Sequence, residues 1–163
     1  MTDAAKQYPG ELASPRQLYE LAEEYRKAAH FLLQLRQSRK PLTSAPFRLS
    51  AIQAIELYLN ALLLQHGYLP GQLRGLQHDL WARTEFAISK GLRLRIRTVD
   101  HLQLLSQSRE YLVTRYSPEL VATASQINRL TATLEEIAEK ISAQLSKPKA
   151  PSLHPSVLSK EKS

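Results

Sequence analysis

The stretch Pro46-Phe47-Arg48-Leu49-Ser50-Ala51-Ile52-Gln53-Ala54-Ile55-Glu56-Leu57-Tyr58-Leu59-Asn60-Ala61-Leu62-Leu63-Leu64-Gln65-His66, followed by Gly67, decides the fold class. Phe47, Ala51, Ile52, Ala54, Ile55, Tyr58, Leu59, Leu62 and Leu63 spread over most of a helical circumference, and Gln53, Glu56 and Asn60 leave one narrow polar stripe. A helix apolar nearly all round is stable in water only at the centre of a bundle. Gly67 suits the left-handed position that ends it. The stretch therefore predicts a central helix from about Pro46 to His66, around which other helices must pack.

The flanking sequence supplies them. Ser14-Pro15-Arg16-Gln17 combines an N-cap serine, a proline at the first helical position and a glutamine that completes a capping box. Leu18, Leu21, Tyr25, Ala28, Leu32 and Leu35 follow at helical spacing, and Arg39-Lys40-Pro41 stops that first helix near Ser38. A third helix is predicted over about His78 to Lys90, with Leu80, Thr84, Ala87 and Ile88 inward and Asp79 at its start. Leu69-Pro70-Gly71 reads as a turn with Gly75 still in a loop, and Leu92 to Arg97 as an extended connection, because its period-2 pattern has no partner strand. Thr98 opens a fourth helix carrying Val99, Leu102, Leu105, Leu112 and Val113. Ser117-Pro118-Glu119 opens a fifth, where Ile127, Leu130, Leu134, Ile137 and Ile141 step to about Ser146. The expectation is an all-α, up-and-down bundle of about five helices without a sheet. Residues 1–13 read as a flexible lead-in, 14–146 as the helical domain and 147–163 as a disordered basic Pro/Lys/Ser tail.

Composition removes many functions. The chain has 163 residues, 43% of them hydrophobic, enough for one real core. It has no cysteine, which excludes disulfide scaffolds, zinc ribbons, thiol catalysis and iron–sulfur clusters. The longest apolar run, Ala61 to Leu64, falls far short of the ~20 residues of a membrane span, and residues 1–6 carry no apolar signal region. No membrane partner and a cytoplasmic location are expected. HExxH, GxSxG, the P-loop and GxGxxG are all missing, and His78-Asp79 is a lone dipeptide, so neither a metal nor a cofactor is expected.

The net charge of +7 divides into +3 on residues 147–163 and +4 on the rest, where 18 basic groups face 14 acidic ones. The body's charge is blocked: no acid lies between Glu24 and Glu56, an interval holding Arg36, Arg39 and Lys40, and Lys90, Arg93, Arg95 and Arg97 precede Asp100. Arg36, Arg39, Lys40, Arg93, Arg95 and Arg97 are therefore the candidate phosphate contacts, acting through summed Coulomb attraction and counterion release. Glu56 and Asn60, one turn apart on the most apolar helix, need polar partners; Arg109 or Arg115 would complete a polar floor between helices.

Ala54-Ile55-Glu56-Leu57-Tyr58-Leu59-Asn60-Ala61-Leu62-Leu63, Gly67, His78-Asp79-Leu80 and Gly91-Leu92 in this order resemble the HEPN domain (higher eukaryote and prokaryote nucleotide-binding). Arg115-Tyr116-Ser117-Pro118 before a long last helix looks like that family's ending. The resemblance spans residues 15–145, with Asn60 where members often have lysine. It implies an all-α bundle that homodimerises and acts either as a ribonuclease or as a non-catalytic binder of RNA, nucleotides or a partner protein. The family's nucleases pair an Arg with a His across four to six intervening residues, and Arg95 with His101, five residues between them, has this spacing. Composition alone yields about one such match by chance, and Ile96 stands where the nucleases usually have a polar residue. The expected function is a dimeric HEPN-like binding module without nuclease activity, its ligand a partner protein or RNA or nucleotide phosphates. The alternative is a metal-independent endoribonuclease using Arg95 and His101 across a dimer.

Overall fold

The computed structural model describes residues 7–147. Its centre is the apolar stretch quoted above, which forms one helix, α2 (Ala45–Gln65), entered through a 3-10 turn at Pro41–Ser44. Phe47, Ala51, Ala54, Ile55, Tyr58, Leu59, Ala61 and Leu63 are fully buried, so α2 is covered on nearly every side. The covering helices are α1 (Pro15–Leu33), α4 (Leu80–Ser89), α6 (Glu110–Tyr116) and α7 (Ile127–Leu145). Two further helices, α3 (Pro70–Gly75) and α5 (Ile96–Gln107), complete the bundle, α5 lying against α4 and α7. Among the described residues there are seven α-helices, two 3-10 turns and no strand, an all-α helical bundle.

The start of α1 matches the sequence: Ser14 Oγ accepts from the Gln17 backbone N–H at 3.1 Å, and Gln17 Oε1 accepts from Ser14 N–H at 2.9 Å. Its buried face matches in part, with Leu18 and Leu32 packed against the core. Ala22 and Ala29 are fully buried, while Leu21, Tyr25 and Leu35 are exposed. The helix also ends at Leu33, five residues before the predicted stop, and residues 34–40 form a tight loop. There Thr43 Oγ1 accepts from the Gln37 N–H at 2.8 Å and donates to the Lys40 carbonyl at 2.7 Å, with Arg39 left-handed at φ 64°.

The count of about five helices is corrected in three places. Pro70–Gly75, expected as turn and loop, is the short α3. The predicted fourth helix breaks at Arg109, which is left-handed at φ 50°, into α5 and α6. The predicted start of the fifth at Ser117-Pro118 is a 3-10 turn (Pro118–Thr123), and the long helix begins only at Ile127. One buried network explains both breaks. Glu110, 2% exposed, accepts from Arg48 at 2.8 Å and from the Ser125 N–H at 3.1 Å, and Arg48 also donates to the Ser125 carbonyl at 2.6 Å. A charge pair this deep must be hydrogen-bonded throughout, and the chain bends twice to achieve it.

The lead-in is described from Gln7 onward. It folds back onto α3: Glu11 pairs with Arg74, whose guanidinium lies over the Tyr8 ring at 4.4 Å from its centre. The tail predicted over 147–163 lies, beyond Lys147, outside the described residues.

Candidate nucleic-acid interface

α5 and α7 meet along a polar seam. Thr98 and His101, one turn apart on α5, face Glu136 and Thr133, one turn apart on α7. The Thr98 hydroxyl donates to Glu136, Glu136 also accepts from the Arg95 N–H at 2.8 Å, and His101 Nδ1 lies 2.7 Å from the Thr133 hydroxyl. Above this seam opens a cleft of about 550 Å³ whose lining combines Arg95, Arg97 and Arg129 with Gln126, Thr133 and the carboxylate of Glu136. Arg95 stands 77% exposed at its mouth, 3.8 Å from Glu136. Arg129 reaches across from α7 to the Arg97 carbonyl at 3.4 Å.

A second cleft, about 160 Å³, is lined by Arg36, Arg39, Lys40, Pro41, Ser44 and Ile127. The two clefts flank the start of α7: Gln126 lines one and the next residue, Ile127, lines the other. The first turn of α7 carries no acid, and Gln126 makes no side-chain cap, so the positive end of the helix dipole adds to the same region.

The first basic block of the sequence is partly neutralised by acids both near and distant in the chain. Arg26 is held by Glu135 at 2.6 Å, Lys27 by Glu24 at 2.7 Å and Arg48 by Glu110 at 2.8 Å. Arg36, Arg39 and Lys40 remain without an ion pair among the described residues. Arg95 and Arg97 join the α5–α7 cleft, whereas Arg93 is exposed outside it. Sequence reasoning missed Arg129. Its signal was the polar stripe Gln126, Arg129, Thr133 and Glu136, which recurs at helical spacing opposite the apolar face of α7.

Arg95 and His101 do not converge on one surface. Arg95 projects into solvent, while His101 is fully buried, with Nε2 lacking any hydrogen-bond partner. Burial pushes the imidazole down to about 4, with the positive charges of Arg129 and Arg48 adding to the shift.

The expected polar floor has different partners. Glu56 meets His78 Nδ1 at 3.2 Å and Arg83 at 3.4 Å, and Asn60 Oδ1 accepts from Arg83 Nε at 2.8 Å. Arg109 lines a separate shallow cleft with Asp79, Ser106 and Tyr111, and Arg115 is exposed. The missed residue is Arg83, an arginine one turn after Leu80 and next to Thr84 on the inward side of an amphipathic helix. Asp79 of the HD pair is the N-cap of α4, accepting from the Ala82 N–H at 2.9 Å. Among the described residues, no three His, Asp or Glu side chains gather as a metal would need. Compared with protein-family models, with curated proteins and with solved structures, the chain matches none.

Proposed function

We propose that this chain is a small HEPN-like binding module that holds the phosphate backbone of RNA in the α5–α7 cleft without cutting it. The observation that carries the reading is the gathering of Arg95, Arg97 and Arg129 around one opening, three cations against the single carboxylate of Glu136. Guanidinium groups match phosphate oxygens in charge and geometry. Arg36, Arg39 and Lys40 extend the positive surface on the other side of the α7 start.

Binding without cleavage rests on His101. A general acid or base must reach the proton it moves, and this imidazole is buried and held neutral. The HEPN resemblance adds a second copy of the chain as partner, which light scattering reads as twice 18.5 kDa.

The experiment is fluorescence anisotropy with a labelled single-stranded RNA, on the wild type and on a variant combining Arg95→Ala, Arg97→Ala and Arg129→Ala. At least a tenfold loss of affinity is expected, with the RNA intact after prolonged incubation. Equal affinity in the triple variant removes the cleft from the account, and cleavage that disappears in His101→Ala restores the nuclease reading.

A further inference from the structure

A concavity larger than the basic cleft lies elsewhere on the bundle. It is a groove of about 760 Å³ on the other side of α2, walled by Leu18 and Leu21 of α1, Leu57 and Leu64 of α2 and Leu73 of α3. This is the size and lining of a small-molecule site: apolar walls with a few convergent polar groups. The polar groups on the lining include Glu56 and Asn60 of the central helix's polar stripe, with Gln53, Gln77, His78 and Arg83 beside them.

The hydrogen bonding of Glu56 and Asn60 leaves a defined pattern open. The Glu56 oxygens meet one group each, His78 and Arg83, at 3.2 and 3.4 Å, whereas a carboxylate accepts about four hydrogen bonds. Arg83 Nε donates to Asn60 Oδ1, which fixes the orientation of that amide, and the Asn60 NH₂ has no partner among the described residues. The groove floor thus offers an acceptor and a donor one helical turn apart.

Charge selects the ligand class. Glu56 is balanced by the buried Arg83, and Arg74 at the rim is paired with Glu11. An organic anion would meet Glu56 at close range, and an organic cation would meet Arg83. A neutral carboxamide donates its N–H to Glu56 and accepts from Asn60, with its apolar body against the leucines. We propose that this groove binds a neutral small molecule bearing a carboxamide-type edge on an apolar body. The segment Tyr8-Pro9-Gly10 lies along the same groove, latched by the contacts of Arg74 with Tyr8 and Glu11, and forms its removable cover.

Three probes of one shape and different charge test this: benzamide, benzoate and benzamidine, titrated into the full chain and followed by amide NMR. Benzamide is expected to shift the Asn60 side-chain NH₂ and the backbone amides of Leu57 and Leu64 saturably, at a concentration at least tenfold below that needed for either ion. Arg74→Ala, which frees the cover, is expected to tighten benzamide binding several-fold, and Asn60→Leu to remove the preference over the ions. If Asn60→Leu does not fold, the ranking on the wild type still decides. Benzamidine or benzoate binding as well as benzamide overturns the proposal, as does an absence of saturable shifts in both the wild type and Arg74→Ala.

Discussion

Glu136 of α7 caps α5 from outside its own helix, accepting the backbone N–H of Arg95 at 2.8 Å while it holds the Thr98 hydroxyl. Arg95 occupies the N-cap position, where its side chain accepts nothing, so the first turn of α5 takes its acceptor from α7. The orientation of Arg95 and Arg97 toward Arg129 therefore depends on one buried carboxylate.

Glu136→Ala is expected to destabilise the fold by about 2 kcal/mol, the combined scale of a lost cap and an orphaned buried N–H. Glu136→Gln keeps one acceptor oxygen and is expected to cost less. The exposed contact between Arg95 and Glu136 adds little. Urea denaturation checks this: the midpoint falls in the order wild type, Gln, Ala with an unchanged slope.

Arg83 is the next most demanding side chain. At 2% exposure it donates to Asn60 Oδ1 and to the carbonyls of Asp79, Leu73 and Gln77, and it faces Glu56. It thereby fixes the turn between α3 and α4, where Gln77 is left-handed at φ 49°. Arg83→Met takes from Glu56 its arginine and from Asn60 and three carbonyls a hydrogen bond each, and is expected to cost about 3 to 5 kcal/mol. Arg83→Lys is expected to cost nearly as much, because an ammonium cannot serve four acceptors in these directions. Thermal unfolding of both variants reads it, and a lysine variant close to wild type would contradict the geometry.

His101 makes stability fall with acid in a defined window. Its folded-state value of about 4 lies below the ordinary 6.5, chiefly through burial. Between these values the unfolded chain binds a proton that the folded chain refuses, so stability is intact above about pH 6.5 and declines until about pH 4. The loss accumulates to roughly 3 kcal/mol. Glu135, held below its ordinary value first by its hydrogen bonds with Arg26, acts at lower pH: it stabilises the neutral protein and that contribution is lost as the carboxylate protonates. His101→Leu removes the titrating group and its unpartnered Nε2. The variant is expected to flatten the stability profile between pH 5 and 6.5 while the acid limb from Glu135 remains.

Local patterns made much of this fold legible. The Ser14 capping box, the all-round apolar α2 and the face Leu130, Leu134, Ile137 and Ile141 of α7 all stand where the sequence put them, because each is set by neighbours within about one turn. What stayed hidden was set at long range. The break between α5 and α6 answers to Arg48, 62 residues from Glu110 in the chain. The neutralisation of Arg26 answers to Glu135, 109 residues away. The inward face of α1 was misread in part, because Ala22 and Ala29 hold its fully buried positions while Leu21 and Tyr25 stand exposed. The same holds for the site: Arg95 and Arg97 were visible as a block, while Arg129 joins them only through the antiparallel packing of α5 on α7.

The basic cleft makes its strongest prediction in salt. If Arg95, Arg97 and Arg129 each neutralise one phosphate, the logarithm of the affinity for single-stranded RNA falls with the logarithm of salt at a slope of about −2. Arg97→Ala is expected to make that slope shallower by about 0.7, the share of one phosphate on a single strand. Arg93→Ala, outside the cleft, is expected to leave it unchanged. Because Gln126 and Ile127 join the two clefts, an RNA long enough to pass the start of α7 should also engage Arg36, Arg39 and Lys40. A strand of about ten nucleotides is then expected to show a steeper slope than one of about three, since it neutralises more phosphates. Removing Arg36, Arg39 and Lys40 should bring the long strand back to the short one's slope. Equal slopes for both lengths in the wild type would confine binding to the α5–α7 cleft.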